Sequence, residues 1–312
     1  MWLLWSHCFF VKKGIILMRW RTLFVTNNCK LSLSNNLLTC RKGDHIQQIP
    51  ISDLQTVILD TQQGFISFAL LAELSRQRIT LIGTNESHLP SFHLTNIRNY
   101  TVNNAFNQVN WKPDVKKRIW SLIIQHKLRS QTHCLLSLTN PQFHPHIQEK
   151  YQQCLTSIKP GDPSNIEGQF AAYYWKILFG VDFNRRISDS INAGLNYGYA
   201  VLLAHTAKII RATNHLTFLG VHHSSVRNDL NLACDLMEPF RPIIDQLVFS
   251  TNFENFEVNQ RIKLVELFDQ PVLVNSQNQR LINAIRSYVN LCLAALNDKK
   301  SLIELERWVI SF

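Results

Sequence analysis

Short runs of alternating apolar and polar residues fill the chain from Arg21 to Thr95. Such runs, bounded by turn residues, are typical of β-strands. The predicted strands span residues 21–27, 31–42 as a hairpin, 45–51, 56–60, 79–83 and 88–95. In the hairpin, Asn35 and Asn36 form a turn pair that tolerates positive φ. One helix is predicted at 65–78, so this part of the chain is a β-rich domain.

From residue 112 the apolar positions recur at helical spacing. Helices are predicted at 112–129, from the turn at 161–168 through Leu178, at 189–212, at about 257–268, at 277–296 and, short and amphipathic, at 301–312. The Asn-rich, weakly periodic residues 97–111 are predicted to be a linker. The fold class is therefore α+β, with a small β-rich domain at 19–96 and a larger all-helical domain at 112–312.

The first 18 residues are apolar but do not form a targeting signal. No cationic region precedes the apolar run, Lys12 and Lys13 interrupt it, and no small-residue cleavage site follows. The run is also too short to span a bilayer, and no later stretch is a better candidate. We predict an apolar extension at 1–18, with Met18 as an alternative start. The first strand is then expected near Arg21, without partners from the extension.

Charge and cysteine usage narrow the class of partner and compartment. The formal net charge is +10, which attracts polyanions, nucleic acid first and anionic membrane second. The seven cysteines are scattered and contain no Cys-x-x-Cys pair, which argues against a disulfide framework and a structural zinc site. Reduced thiols in a cytosol fit this pattern.

A basic amphipathic helix is predicted at 112–129. Its cations interleave with apolar residues and are Lys112, Lys116, Lys117, Arg118, Lys127 and Arg129. Such a face can bind phosphates, and it can equally be a solvated face without a partner.

Two acids and two histidines lie close together between residues 219 and 242. His222 and His223 occupy a loop, and Asp235 and Glu238 are three apart, hence on one face of a helix. With an imidazole, these carboxylates could form a divalent-metal site. The alternative is a solvated acid pair at a helix bend, with Pro239 biasing Glu238 away from helical angles.

A turn cluster at 161–168 contains a further acid. Ser164 and Glu167 have the spacing of a capping box, in which the acid reaches back to a backbone N–H. Spacing alone favours this structural role for Glu167.

Five segments resemble one known family. They are Gly161-Asp-Pro-Ser-Asn-Ile-Glu-Gly168, Leu178-Phe-Gly180, Asn192-Ala-Gly-Leu-Asn-Tyr-Gly-Tyr-Ala200, Leu219-Gly-Val-His-His223 and Asp235-Leu-Met-Glu-Pro-Phe-Arg-Pro242. In this order they resemble the CRISPR-associated integrase, which installs new spacers in CRISPR arrays. The resemblance runs from about residue 19 to the end. The Leu-Phe-Gly and Asn-Tyr-Gly-Tyr motifs are most similar to those of family members from type II systems.

The resemblance implies a catalytic role for the helical domain and a ligand set. Glu167, His223 and Glu238 would bind one Mg²⁺ or Mn²⁺, and hard oxygens with one imidazole suit these ions better than zinc. His222 competes for the role of histidine ligand. The spacing between Gly220 and the histidine of the family motif favours His223. Asp235 would support the ligands.

The implied reaction is transesterification, in which a DNA 3′-hydroxyl attacks a phosphodiester of the CRISPR repeat. Water in its place would give endonuclease activity. Lys116, Lys117, Arg118 and Arg241 are candidate DNA contacts, and Tyr197 lies either near the site or in the core.

The implied partners are double-stranded DNA, a second copy in a homodimer, a small companion subunit that bridges dimers, and the effector nuclease, in the bacterial cytoplasm and without a membrane. A noncatalytic DNA-binding subunit and a stand-alone repair nuclease remain alternatives.

Overall fold

The computed structural model describes residues 8–10, 21–94, 103–251, 253 and 255–312. The chain divides into two compact units, residues 1–99 with 261–266 and residues 100–260 with 267–312. The first is built on strands and the second is largely helical, so the predicted α+β class is confirmed. No helix in the described ranges is both long and apolar enough to cross a membrane.

The first unit contains two sheets. Its elements are β1 (Cys8–Phe10), β2 (Arg21–Val25), β3 (Lys30–Ser34), β4 (Leu37–Lys42), β5 (His45–Pro50), β6 (Leu54–Leu59), β7 (Phe65–Ile66), α1 (Phe68–Arg76), β8 (Thr80–Thr84) and β9 (Pro90–His93). The sheet orders are β1-β2-β6-β8-β9 and β5-β4-β3-β7, and apolar side chains of both sheets and α1 form one core. Asn35 and Asn36 make the predicted hairpin turn, with φ of 49° and 59°.

The N-terminal prediction is partly wrong. β1 pairs antiparallel with β2, Cys8 opposite Val25 and Phe10 opposite Leu23, so the segment contributes an edge strand before Arg21. An edge strand covers backbone groups that β2 would otherwise expose, which is the physical reason for the pairing. The rest of the predicted extension, residues 1–7 and 11–18, lies outside the described residues.

Residues 261–266 belong to the first unit although they follow the helical region in sequence. The Nε of Arg261 donates to Oδ2 of Asp60 at 2.7 Å, and Nδ1 of His88 lies 2.8 Å from Oδ1 of the same buried carboxylate. A buried carboxylate needs such partners. No local pattern of the sequence indicates this return of the chain.

The second unit is described by ten α-helices and three strands. They are α2 (Asn103–Val109), α3 (Pro113–Leu138), α4 (His144–Ser157), α5 (Ile166–Phe179), α6 (Ser190–Ala212), α7 (Asn231–Met237), α8 (Arg241–Ser250), α9 (Val258–Glu266), β10 (Pro271–Val274), β11 (Gln277–Arg280), α10 (Leu281–Ala295), α11 (Lys299–Glu306) and β12 (Ile310–Ser311). The last six residues of α9 belong to the first unit. Helix α3 packs against α4, α5 and α8 and so lies at the centre of this unit.

Two sequence predictions for this region need correction. The predicted linker contains a helix, α2, whose Gln108 is buried and donates to the carbonyls of Leu216 and Leu219. The region predicted as all-helical also holds a three-stranded sheet, β11-β10-β12. There Asn275 and Ser276 adopt φ of 47° and 66°, which turns the chain into a hairpin where a helix from residue 277 was predicted.

Candidate active site

Two carboxylates from separate elements meet at one buried lysine. Glu167 lies in the first turn of α5, and Glu238 lies in the short 3₁₀ turn Glu238–Phe240 between α7 and α8. The Nζ of Lys127, on α3, donates to Oε1 of Glu167 and lies 2.5 Å from Oε2 of Glu238. Burial lowers the pKa of Lys127, but the charges of Glu238 and Glu167 outweigh it and hold the pKa above its ordinary value.

The start of α5 aims Glu167 at this cluster. Oδ1 and Oδ2 of Asp162 accept the backbone N–H groups of Ile166 and Glu167, and Asn165 caps the helix from a left-handed conformation by accepting from Gly168 N–H. A Cβ at position 168 would lie 2.6 Å from the side-chain amide of Asn165, so Gly168 lets this cap approach the helix closely. The predicted capping box is therefore wrong: Asn165 is the cap, and the Glu167 side chain binds Lys127 instead.

Glu238 is held from two sides. Besides Lys127, the Nε of Arg241 lies 3.1 Å from its Oε1. Burial raises the pKa of Glu238, but Arg241 and Lys127 outweigh it and keep the pKa below its ordinary value, so the group is a carboxylate. The interpretation of a solvated acid pair is wrong, since Asp235 and Glu238 are both buried and Glu238 has helical φ and ψ of −52° and −43°.

Asp235 organises the loop that carries His223. Its fully buried carboxylate accepts the backbone N–H groups of Val221, His222 and His223 at 2.6–3.1 Å, and the Nδ1 of His223 lies 2.6 Å from Oδ1. That side-chain hydrogen bond raises the pKa of His223 above its ordinary value, against the effect of burial. Gly220 permits this wrapping, because a Cβ there would lie 2.7 Å from Asp235 Oδ2.

The two histidines of the loop have different environments. The His222 ring stacks on Trp120, with centroids 4.2 Å apart and planes 2° apart. His223 meets the same indole edge-on at 5.8 Å, and its Nδ1 is occupied by Asp235. A histidine whose Nδ1–H is held by a carboxylate presents Nε2 as a potential ligand, which is the usual arrangement at metal sites.

The residue types of this cluster suit a hard divalent cation, but their side chains are not arranged around a common metal position. Across the described residues, no group of three or more His, Cys, Asp or Glu side chains is already arranged to hold a metal ion. Glu167 and Glu238 nevertheless share one cation already, the Lys127 ammonium. Two carboxylates that converge on one positive charge, beside an oriented imidazole, are the donor types that Mg²⁺ and Mn²⁺ take.

The predicted DNA-contacting cations occupy different settings. Lys117 and Arg118 are exposed on the first turns of α3, and Arg118 makes a 2.6 Å ion pair with Glu306. Lys116 lines a cavity beside His223. Arg241 is committed to Glu238 and stacks over the Tyr199 ring, 4.8 Å from its centroid.

Two other basic residues of the predicted face do not point to solvent. Lys127 is buried among carboxylates, and the Nη1 of Arg129 donates to the carbonyl of Trp308 at 3.0 Å. The predicted basic face is therefore confined to the N-terminal end of α3. Tyr197 is fully buried, as the core interpretation required.

A second buried acid lies behind Arg241. Asp245, on α8, accepts from the Tyr174 hydroxyl at 3.0 Å and from the Tyr199 hydroxyl. Burial raises the pKa of Asp245 to about 7, although both tyrosine hydrogen bonds oppose the shift. The ring of Tyr199 thereby links this acid to Arg241 and so to Glu238.

Asp245 is expected to make the folding stability depend on pH. Its folded-state pKa lies above the unfolded value, so between about pH 4 and pH 7 the folded protein holds a proton that the unfolded chain has lost. The contribution of Asp245 to folding stability should therefore fall as pH rises through this window, by on the order of 4 kcal/mol. Asp245→Asn should remove that fall in denaturant titrations at pH 5 and pH 8, whereas the exposed control Asp114→Asn should keep it. An equal slope in both variants would contradict the assignment.

Lys127 is the site residue whose role the sequence analysis missed. It follows Ile123 by four positions and Trp120 by seven, so it lies on the apolar stripe of its helix. A cation in such a stripe is buried and needs anionic partners. That signal was present, but it does not say which acids provide them.

Residues 23–261 match the family described as CRISPR associated protein Cas1. The chain belongs to this family. Its relatives include the CRISPR-associated endonuclease Cas1 of Neisseria meningitidis serogroup C, 28% identical over 291 residues that cover 91% of this chain and 94% of the relative.

Solved structures share the fold. A casposase bound to integration product superposes with a TM-score of 0.70 at 18% identity, covering 89% of this chain and 92% of that one. A Cas1 protein from Thermotoga maritima gives 0.67 at 14% identity, covering 88% and 96%. A chain of a Cas6-RT-Cas1–Cas2 complex gives 0.72 at 16% identity; 93% of this chain is covered, which spans 36% of that longer chain.

Proposed function

We propose that this protein is a metal-dependent DNA endonuclease and integrase that inserts spacer DNA into a CRISPR array. The observation that carries the proposal is the convergence of Glu167 and Glu238 on one buried cation, on the same unit as a histidine oriented by Asp235. Membership of the Cas1 family supports it, as do a relative called an endonuclease and a fold neighbour bound to an integration product.

Glu167, Glu238 and the Nε2 of His223 would hold one Mg²⁺ or Mn²⁺. When bound, the ion would lower the pKa of the attacking hydroxyl and neutralise charge on the phosphate. The chain itself orients the ligands: Asp235 fixes the His223 ring, and Arg241 fixes the Glu238 carboxylate. A 3′-hydroxyl as attacking group gives transesterification onto the repeat, and water gives hydrolysis.

Lys116, Lys117 and Arg118 are proposed to contact the DNA backbone at the N-terminal end of α3. Neutralising all three should weaken binding to unrelated duplexes and flatten its salt dependence, by roughly 0.9 in log–log slope for each phosphate that is no longer neutralised. Lys150→Gln on α4, which changes a partly exposed lysine, is the matched control. An unchanged slope in the triple variant would remove this face from the DNA path.

The proposed assembly is a homodimer with a small companion subunit, acting in the bacterial cytoplasm and with the effector nuclease as a further partner. Two fold neighbours come from Cas1–Cas2 complexes, which supports the companion. Light scattering of the purified chain alone should give twice the 36.2 kDa monomer mass. A monomeric mass at assay concentration would count against the dimer.

The proposed reaction is tested with a labelled DNA that ends in a 3′-hydroxyl and a target duplex that contains a CRISPR repeat. We expect a covalently joined product with Mn²⁺ or Mg²⁺ and none with EDTA. DNA binding without any joined or cleaved product in either ion would favour the noncatalytic DNA-binding subunit.

A further inference from the structure

A tyrosine ring contacts the arginine that holds Glu238. Cζ of Arg241 lies over the Tyr199 ring, 4.8 Å from its centroid, while Nε of the same guanidinium is 3.1 Å from Oε1 of Glu238. The negative face of an aromatic ring attracts a guanidinium within about 6 Å of its centroid. Arg241 is therefore held by a carboxylate and a ring together, and the ring restricts the positions from which Arg241 contacts Glu238.

A buried acid fixes the position of this ring. The Tyr199 hydroxyl donates to Oδ1 of Asp245, and Oδ2 of the same carboxylate accepts from the Tyr174 hydroxyl at 3.0 Å. Asp245 is 1% exposed, so both hydrogen bonds are shielded from water. A phenol that donates to a carboxylate is polarised by it, which makes its ring more negative. Asp245 therefore orients the Tyr199 ring and increases its attraction for Arg241.

A second guanidinium contacts the same ring. Cζ of Arg185, in the loop between α5 and α6, is 5.6 Å from the Tyr199 centroid. Nη1 of Arg185 donates to Oδ1 of Asn192, and Nη2 donates to Oδ1 of Asn196 at 2.7 Å, so two amides of α6 anchor this arginine. A ring held by an anchored cation and by a buried carboxylate has little freedom. Such support is what the precise placement of a functional group requires.

We propose that Tyr199 is a positioning residue of the metal site, whose ring holds Arg241 where Arg241 fixes the Glu238 carboxylate for the ion. The proposal rests on the proposed function, because it takes Glu238 as a metal ligand. It adds that a residue one contact away from the ligands determines the metal affinity. Groups that orient metal ligands typically change metal affinity or activity by about 10- to 100-fold. Because Tyr199 acts through Arg241, we expect about tenfold.

The affinity of the purified protein for Mn²⁺, measured by isothermal titration calorimetry, tests the proposal without an activity assay. Tyr199→Leu removes the ring and should weaken Mn²⁺ binding about tenfold. Tyr199→Phe keeps the ring and loses only the hydrogen bond to Asp245, so the affinity should fall by no more than about threefold. Tyr174→Phe is the matched control, because it removes the other hydrogen bond to Asp245 and leaves the Arg241–Tyr199 contact in place. It should bind Mn²⁺ as wild type does.

A double-mutant cycle tests whether Tyr199 acts through Arg241. In an Arg241→Met background, Tyr199→Leu should weaken Mn²⁺ binding by less than about twofold further, because the group that the ring positions is gone. A general loss of packing would weaken binding equally in both backgrounds. Melting curves in EDTA identify the variants that are folded. If Tyr199→Leu is not, Tyr199→Met removes the ring with a flexible side chain that adapts to the space.

Three results would overturn the proposal: wild-type Mn²⁺ affinity in the ringless variant, an equal loss in Tyr174→Phe, or a full tenfold loss in the Arg241→Met background. If the wild-type protein joins DNA and Tyr199→Leu binds Mn²⁺ normally, the positioning role fails and the proposed function stands. If Mn²⁺ binding depends on the ring but wild type neither joins nor cleaves DNA, the proposed reaction fails and the positioning role stands. A wild-type protein that binds no Mn²⁺ would overturn both.

Discussion

Alanine at Glu167, His223 or Glu238 is expected to reduce strand joining by about 10³-fold or more, because each change removes a ligand of the proposed metal ion. Asp235→Asn should cost less, roughly 10–100-fold, since Asp235 acts by orienting His223. His222→Ala should retain most activity, because its ring stacks on Trp120. Joined product is quantified on denaturing gels with saturating Mn²⁺.

Folding must be separated from chemistry in these variants. Removing either glutamate leaves the buried Lys127 with one partner instead of two, so some loss of stability is expected. Glu167→Gln and Glu238→Gln keep the volume and an acceptor oxygen, and melting curves identify any variant that is inactive because it is unfolded. If His222→Ala were inactive and His223→Ala were active, His222 rather than His223 would be the histidine ligand.

The sequence was sufficient where a local signal determines the structure. Asn35 and Asn36 specify the hairpin turn, because these residues tolerate positive φ. Asp189 accepts from the backbone N–H of Asn192 and starts α6 where the pattern placed it. The motif resemblance also selected Glu167 and Glu238, which the structure brings to one cation.

Long-range partners were not predictable in the same way. Lys127 and Glu167 are 40 positions apart, and the pattern of α3 alone suggested a solvated basic face. The cap of α5 differs by one residue from the prediction, because Asn165 adopts a left-handed conformation that spacing rules do not encode. β10 and β11 are flanked by helices in the sequence, and their residues were predicted as the start of a helix. The Asn275–Ser276 turn that joins the two strands was therefore missed.

Lys127→Met is expected to destabilise the metal-free protein and to strengthen metal binding. The buried ammonium neutralises Glu167 and Glu238, so its loss leaves Glu167 without this cation and Glu238 with Arg241 alone, at a cost of about 3 kcal/mol. The same ammonium competes with a metal ion for these oxygens. Its removal should therefore lower the Mn²⁺ dissociation constant about tenfold, and a given Mn²⁺ concentration should raise the melting temperature more than in wild type.

Thermal melts in EDTA and Mn²⁺ titrations by calorimetry measure both effects without an activity assay. Lys112→Met, an exposed lysine at the start of the same helix, is the matched control and should change neither quantity. Lys127→Arg keeps the charge and should stay close to wild type in metal affinity, which separates competition by charge from altered packing. Weaker Mn²⁺ binding by Lys127→Met would mean that Lys127 holds the carboxylates in place for the ion rather than competing with it.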